Sequence, residues 1–174
     1  MKQKAIFLDR DGVINIEKDY LFKLEDFEFI EGVFESLRYF QRLGFLLFII
    51  TNQSGIGRGY YTKDDFSLLT KWMLSQFENE NIIISDVQFC PHSPDIDCRC
   101  RKPNIGMIEN IDKNYPIDFE NSWLIGDKQS DIECAKNAKI KHTIQVKSGH
   151  SFEKSDADFV IEKLQLDFIS KIIF

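Results

Sequence analysis

Two aspartates near the N-terminus could carry out nucleophilic and acid–base chemistry together. Asp9 and Asp11 follow a short apolar run, Ala5 to Leu8, which predicts a buried β-strand. Alternate residues of a strand point to the same side, so both carboxylates can face one pocket. Carboxylates that lie so close together repel each other and attract a cation. Taken alone, the pair is equally compatible with a solvated turn in which Gly12 supplies the bend.

Three more polar residues are associated with predicted strands further along the chain. Thr51, Cys90 and Asp127 each lie at or just after the end of such a strand. Because the carboxyl ends of parallel strands meet at one edge of a sheet, we expect these side chains to converge with the two aspartates. A site rich in carboxylate oxygens suits magnesium, which also binds substrate phosphate. The pattern therefore predicts a magnesium site to which Asp127 contributes a further oxygen.

The elements that must position these residues alternate between strands and helices. Thr62 can cap a helix, Ser130 with Glu133 predicts a capping box, and the glycine-rich segment Thr51–Tyr61 predicts a loop. The other predicted elements are strands Phe45–Ile50, Asp86–Cys90, Trp123–Ile125, His142–Val146 and Asp158–Ile161, and helices from Val33 to Gly44, Ile105 to Asn114 and Leu164 to Ile172. This alternation predicts one α/β domain, residues 1–174, with a three-layer arrangement of a parallel sheet and helices on both faces.

The chemistry that these residues could perform is phosphoryl transfer. Asp9 can attack phosphorus and form an aspartyl-phosphate. Asp11 can protonate the leaving alcohol and then deprotonate water. Lys102, beside Arg101, is the candidate cation for the phosphoryl group, and Thr51 offers a hydroxyl and an N–H. If Lys102 stood alone, a solvated loop lysine would be the better interpretation. If Thr51 stood alone, a strand-end cap would be.

A second cluster combines cysteine and histidine in the short segment 90–100. Cys90, His92, Cys98 and Cys100 supply four ligands of the kind that zinc binds tetrahedrally. All four positions would be filled by protein, so the predicted zinc is structural and its loop holds Arg101 and Lys102 in place. The alternative interpretation is a set of free thiols beside a surface histidine.

The overall composition narrows the possible partners. The chain has 22 Lys and Arg against 28 Asp and Glu, a formal net charge of −6. Nucleic-acid binding normally requires a basic face, so we expect no nucleic-acid partner. No apolar run approaches the roughly 20 residues of a membrane span, and we expect no membrane partner and a cytoplasmic location.

Four segments carry a resemblance to a known family. They are LDRDGVIN (Leu8–Asn15), TNQSGI (Thr51–Ile56), CRKP (Cys100–Pro103) and GDK (Gly126–Lys128). In this order they resemble the motifs of haloacid-dehalogenase-like phosphatases, and most of all the heptose-bisphosphate and histidinol-phosphate phosphatase branch. The similarity extends from Ala5 to about Val146, and the combination is far more specific than any single motif.

The resemblance implies roles for individual residues. Asp9 would be the nucleophile and Asp11 the acid/base, with Thr51 and Lys102 stabilising the phosphoryl group. Magnesium would bind Asp9, the backbone carbonyl of Asp11, and Asp127. Asp131, four residues after Asp127, matches a position that orients the lysine or the metal shell. A similar zinc loop precedes Arg-Lys-Pro in heptose-bisphosphate phosphatases, although the segment from His92 to Cys98 is shorter here than in many members.

The resemblance also implies a substrate. No insertion is long enough to form a cap domain, so we expect an open site bordered by Ile16–Lys23, Gly55–Tyr61 and the zinc loop. The implied reaction removes the 7-phosphate of D-glycero-D-manno-heptose 1,7-bisphosphate, a small sugar phosphate, for lipopolysaccharide or other glycan synthesis, with the enzyme acting as a monomer. Arg58 is either a contact of the second phosphate or a solvated arginine. The implied substrate-binding residues are Glu17, Lys18, Asp19, Tyr20, Thr51, Asn52, Gln53, Ser54, Arg101, Lys102 and Lys128.

Three other functions remain open from the sequence. A histidinol-phosphate phosphatase shares the motifs, and the loops around the pocket would distinguish it. A polynucleotide 3′-phosphatase shares the catalytic core but needs a basic, aromatic groove, which the acidic composition disfavours. A zinc-stabilised binding module without catalysis would lack a catalytic group, whereas all five catalytic candidates are present here.

Overall fold

One parallel sheet organises the molecule. The computed structural model describes residues 1–174. Its strands are β1 (Ala5–Leu8), β2 (Leu46–Asn52), β3 (Asp86–Cys90), β4 (Trp123–Gly126), β5 (His142–Val146) and β6 (Phe159–Ile161). Every pairing is parallel, in the order β3-β2-β1-β4-β5-β6. The chain reverses its direction of winding between β1 and β4, where sheets of this type bind ligands outside the carboxyl ends of the strands.

Six helices surround the sheet. They are α1 (Val33–Arg42), α2 (Ser54–Gly57), α3 (Lys63–Asn79), α4 (Gly106–Asn114), α5 (Gln129–Asn137) and α6 (Leu166–Ile169). α3 begins where the sequence predicts, since Thr62 and Asp65 each accept a hydrogen bond from the other's backbone N–H. None of the helices is both long and apolar enough to cross a bilayer.

The period-two pattern of β1 divides the core into two layers. Ile6 and Leu8 face a cluster of 24 buried residues, to which α1, α3 and α6 contribute. Ala5 and Phe7 face a cluster of 13 buried residues on the other side, with α4 and α5. This arrangement confirms the predicted three-layer α/β fold. Between β1 and α1 there is no inserted domain, only loops and a 3₁₀ turn at Leu24–Asp26, so nothing caps the sheet edge there.

The segment predicted as a loop after β2 contains the short helix α2. The glycines of this segment predict an irregular turn, yet neither Gly55 nor Gly57 has a positive φ. A Cβ on Gly55 would lie 2.2 Å from Tyr61 Cε1, and one on Gly57 would lie 2.6 Å from the backbone nitrogen of Ser93. These glycines therefore allow close packing of α2 against its neighbours, and they do not break the helix.

Two other predicted boundaries are wrong. The capping box of Ser130 and Glu133 does not form, because α5 already begins after Lys128, whose backbone N–H donates to Asp131 Oδ2 at 3.0 Å. The closing helix is also shorter than the predicted span from Leu164 to Ile172. Only Leu166–Ile169 is α-helical, and the chain then continues in turns.

Candidate active site

The five predicted catalytic residues meet at the carboxyl edge of the sheet. Asp9 follows β1, and its N–H donates to Ile125 O in β4 at 3.0 Å. Thr51 lies near the end of β2 and Asp127 directly follows β4. An open cleft of about 270 Å³ lies above this edge, and Asp9, Asp11 and Lys102 contribute to its lining. Strand order thus brings together residues that are more than a hundred positions apart in the sequence.

Lys102 lies at the centre of a buried ion-pair network. Its Nζ is 3.0 Å from Asp9 Oδ1 and 2.6 Å from Asp131 Oδ1. It also donates to Ile50 O at 2.8 Å. Burial alone would lower the pKa of Lys102, but the carboxylates of Asp131 and Asp9 raise it above its ordinary value. The lysine is therefore a fixed positive charge beside the predicted nucleophile, and Asp131 orients it.

Asp9 itself is almost fully buried among negative groups. Its Oδ1 accepts from Lys102 and from the Arg10 backbone N–H. Burial raises the pKa of Asp9 well above its usual range, and Lys102 offsets that effect only in part. A carboxylate in such surroundings is stabilised in its charged form by an additional cation.

Asp11 is held in place by donors on both of its oxygens. Arg10 donates to Oδ1 from Nε at 3.2 Å and from Nη2 at 2.9 Å, and Asn15 Nδ2 donates to the same oxygen at 3.0 Å. Gln53 Nε2 donates to Oδ2 at 3.1 Å. Burial would raise the pKa of Asp11, but Arg10 and these amides lower it below its ordinary value. Oδ1 is saturated with donors, so Oδ2 is the oxygen that can exchange a proton.

Asp127 presents one oxygen without a partner. Its Oδ2 accepts from the His150 backbone N–H at 2.9 Å and lies 2.7 Å from His150 Nδ1. Its Oδ1 is buried and has no hydrogen-bond partner. An orphaned carboxylate oxygen next to buried Asp9 matches the all-oxygen ligand set that magnesium prefers, so the residues present fit this metal.

The predicted zinc ligands form a compact cluster. The Cys98 sulfur lies 3.6 Å from that of Cys90 and 3.7 Å from that of Cys100, and the Cys90 and Cys100 sulfurs are 2.9 Å apart. His92 Nδ1 lies 3.5 Å from Cys90 Sγ and 3.3 Å from Cys100 Sγ. A tetrahedral site with zinc–sulfur bonds of about 2.3 Å separates its sulfurs by about 3.8 Å. No disulfide joins the cysteines. Two of the three sulfur separations match this spacing, the Cys90–Cys100 pair is closer, and the four ligand atoms form a cluster that is compatible with zinc.

Comparisons with known proteins agree with this geometry. A family model described as HAD-hydrolase-like matches residues 99–166. The D-glycero-alpha-D-manno-heptose-1,7-bisphosphate 7-phosphatase of Campylobacter jejuni is 48% identical over 159 residues, which are 91% of this chain and 89% of that protein. This chain belongs to the heptose-bisphosphate phosphatase family of haloacid-dehalogenase-like hydrolases.

Other members of the family are similar over most of their length. The Helicobacter pylori 26695 protein, whose name specifies the beta anomer of the same bisphosphate, is 47% identical and spans 81% of this chain and 82% of its own. The crystal structure of the D,D-heptose 1,7-bisphosphate phosphatase from B. bronchiseptica, complexed with magnesium and phosphate, superposes with a TM-score of 0.84. It is 25% identical and covers 97% of this chain and 99% of that one.

Most of the residues predicted to bind substrate line the cleft. Those at the cleft are Glu17, Asp19, Tyr20, Asn52, Gln53, Ser54, Arg101, Lys102 and Lys128, together with Arg58. Lys18 differs from the expectation, because its ammonium lies 2.7 Å from Asp26 O and 2.8 Å from Glu28 Oε1, away from the cleft. Thr51 is buried beneath Gln53, whose amide donates to its hydroxyl at 2.8 Å.

Sequence reasoning missed several residues of the site. Arg10 and Asn15 support Asp11, Tyr61 supports Gln53, and His150 contacts Asp127. Strand alternation assigns Arg10 to the far side of β1, but the chain turns after Asp9 and its guanidinium folds back. His150 could have been found, because it follows the fifth predicted strand on the carboxyl edge, behind a glycine.

Proposed function

We propose that this chain is a magnesium-dependent phosphatase that removes the 7-phosphate of D-glycero-D-manno-heptose 1,7-bisphosphate in the synthesis of heptose-containing glycans such as lipopolysaccharide. The observation that carries the proposal is the buried Asp9–Lys102–Asp131 network with Asp11 beside it. In this proposal Asp9 is the nucleophile, Lys102 the fixed cation and Asp11 the acid/base, and all three line the open cleft. The names of close relatives supply the substrate class.

The nucleophilic step uses the free oxygen of Asp9. Because Oδ1 accepts from Lys102 and from the Arg10 N–H, Oδ2 is the oxygen left to attack phosphorus. As the new bond forms, Asp11 Oδ2 delivers its proton to the departing sugar oxygen. Lys102 and the Thr51 hydroxyl stabilise the charge of the transferring group. Asp11 then takes a proton from the water that hydrolyses the aspartyl-phosphate.

Two metals complete the proposal. Asp9, the Asp11 backbone carbonyl and Asp127 would hold magnesium, which neutralises the charge of the phosphoryl group. Cys90, His92, Cys98 and Cys100 would hold zinc as a structural ion. Lys102 follows this loop by two residues. Its backbone N–H donates to Asn52 Oδ1 at 3.0 Å, and Asn52 Nδ2 donates to Lys102 O at 3.3 Å. Folding this loop therefore fixes the catalytic lysine relative to β2.

The cleft suits a small anionic sugar. Arg58, Arg101 and Lys128 supply positive charge around it, and Glu17 and Asp19 can accept hydrogen bonds from hydroxyls. The net charge of −6 supports a small-molecule substrate over nucleic acid. We propose that the enzyme acts as a cytoplasmic monomer.

Phosphate release from defined substrates tests the function. Purified protein with magnesium is given both anomers of heptose 1,7-bisphosphate and, separately, histidinol phosphate. A much larger kcat/KM for one heptose anomer supports the proposal and identifies the anomer, on which the names of the relatives differ. A preference for histidinol phosphate would overturn the substrate while keeping the catalytic residues. No release from any phosphate ester would overturn the phosphatase itself.

A further inference from the structure

Tyr61 has a buried hydroxyl that no step of the proposed reaction uses. The residue is 6% exposed and lies between α2 and α3. Its ring stacks on Phe22, with 5.1 Å between centroids, and packs against Gly55. Its hydroxyl donates to Gln53 Oε1 at 2.5 Å. The ring is thus fixed by packing, and the hydroxyl is aimed at a single acceptor.

Gln53 connects this hydroxyl to the catalytic groups. Its Nε2 donates to Asp11 Oδ2 at 3.1 Å and to Thr51 Oγ1 at 2.8 Å. An ionised carboxylate only accepts hydrogen bonds, so the amide end beside Asp11 must be the NH₂ group. Oε1 then faces Tyr61, which has to be the donor. Burial raises the pKa of Tyr61 to about 12, so the hydroxyl keeps its proton.

The opposite amide orientation would interfere with catalysis. When Asp11 carries a proton, a flipped Gln53 would present Oε1 to the O–H groups of both Asp11 and Thr51. These are the protons that the leaving group and the phosphoryl oxygens require. The flip would also leave the Tyr61 O–H without an acceptor in a buried position, which is unfavourable. Tyr61 therefore selects the orientation in which Gln53 donates to both groups.

We propose that Tyr61 is a positioning residue that acts through Gln53 to keep the Asp11 proton directed at the leaving group. In the step concerned, the bond from Asp9 to phosphorus forms, the bond from phosphorus to the sugar oxygen breaks, and the Asp11 proton passes to that oxygen. The inference rests on the proposed phosphatase reaction. If Tyr61 has this role, its contribution to kcat/KM should be large for a leaving group that needs a proton and small for one that does not.

Two substrates with different leaving groups test this role. The 7-oxygen of heptose 1,7-bisphosphate would be a strongly basic alkoxide unless it received a proton as it departs, whereas nitrophenolate departs from 4-nitrophenyl phosphate without one. Tyr61→Phe keeps the ring packing and should lower kcat/KM for the heptose substrate by about tenfold, with a change within about twofold for the aryl ester. Tyr60→Phe is the matched control, because the neighbouring Tyr60 is 54% exposed and does not line the cleft.

A second variant makes the assignment specific to Gln53. In a Gln53→Met background, which lacks the amide, Tyr61→Phe should leave the ratio of the two kcat/KM values unchanged. Equal losses for both substrates in Tyr61→Phe would overturn the inference and leave the phosphatase proposal standing. The same would follow if Tyr61→Phe still changed the ratio in the Gln53→Met background. A wild-type protein that hydrolyses neither substrate would overturn the proposed function, and this inference with it.

Discussion

At the scale of single residues, Asp9 and Asp11 have opposite environments although they are two positions apart. The pKa of Asp9 is raised, first by burial, and the pKa of Asp11 is lowered by Arg10 and its amide donors. The proposed reaction needs the reverse order, an ionised Asp9 and a protonated Asp11. A divalent cation beside Asp9 lowers its pKa, and a phosphate dianion beside Asp11 raises its pKa. Ligand binding thus prepares both residues.

Lys102 gives the first residue-scale prediction. Lys102→Met leaves Asp9 and Asp131 as buried carboxylates without their counter-ion, and such a loss destabilises by roughly 3–5 kcal/mol. We expect this decrease in the free energy of unfolding, measured by urea denaturation in magnesium-free buffer. Lys128→Met, which removes an exposed lysine of the same cleft without an ion pair, is the control. Equal stabilities of the two variants would contradict this role of Lys102.

Glu17 gives a prediction about pH. Burial raises its pKa from 4.5 to about 7 in the folded protein. The folded state therefore binds more protons than the unfolded state between these values, and the stability contributed by neutral Glu17 is lost as pH rises through about 7. The Glu17→Gln variant has no carboxyl at this position, so its stability should not fall in this way as pH rises.

The matching measurement is thermal denaturation in magnesium-free buffer. The Tm of Glu17→Gln should rise relative to wild type between about pH 4.5 and about pH 8. Glu25→Gln, which changes an exposed glutamate, should follow wild type throughout. A Tm difference that stays constant with pH would show that Glu17 ionises as an ordinary surface carboxyl.

At the scale of elements, the segment 90–100 has no regular structure of its own after β3 ends at Cys90. Its order comes from the Cys–His cluster and from the clamp between Asn52 and Lys102. We expect about one zinc per chain by elemental analysis of protein grown with zinc. Cys98→Ser should lose the metal and accelerate hydrogen exchange in this loop.

Cys134→Ala is the control for the zinc prediction, because Cys134 lies on α5 and outside the cluster. This variant should keep the metal and the slow exchange of the loop. Wild-type protein without zinc would contradict the proposal, and so would a Cys98→Ser variant that binds as much zinc as wild type.

The elements differ in how well the sequence predicts them. β1 and β3 are found to the residue, because each is a short run with a polar residue at or just after its carboxyl end. The start of α3 is predicted correctly, because Thr62 acts only as the N-cap of this helix. The start of α5 is missed because Asp131, which the resemblance already assigned to the lysine, also caps the helix.

The residues of the site also differ in how well the sequence predicts them. The residues named by motifs do converge. Strand order brings Asp9 and Asp127 together, whereas Lys102 reaches Asp9 through the loop after β3, which Asn52 holds. The contacts of Tyr61 and His150 depend on how two loops pack across the cleft. Such contacts leave no periodic signal in the sequence. Lys18 is the opposite case, because the sequence predicts it at the site but its side chain contacts Glu28 instead.

At the scale of the whole molecule, the apolar clusters stabilise the sheet and its carboxyl edge carries the site. Phe77 is fully buried in the larger cluster and has edge contacts with Phe29 and Phe34 at ring-centroid distances of 5.4 and 5.7 Å. Phe77→Ala should lower the free energy of unfolding by roughly 3–5 kcal/mol. The kcat/KM of the folded fraction should stay within about twofold of wild type, because α3 ends far from the cleft.

Phe174→Ala is the control for the core prediction, since this terminal ring is 92% exposed. Denaturant unfolding and substrate kinetics on both variants would separate stability from activity. A loss of kcat/KM in Phe77→Ala at temperatures where the protein is folded would show that the core and the site are coupled.

The central claim is that Asp9 becomes covalently phosphorylated, and trapping tests it most directly. Borohydride added during turnover of heptose 1,7-bisphosphate reduces an aspartyl-phosphate to homoserine, which peptide mass spectrometry can locate. We predict homoserine at position 9 only when substrate and magnesium are present, and no turnover by the Asp9→Asn variant, which should remain folded. Reduction at another carboxylate, or full activity of Asp9→Asn, would contradict the account.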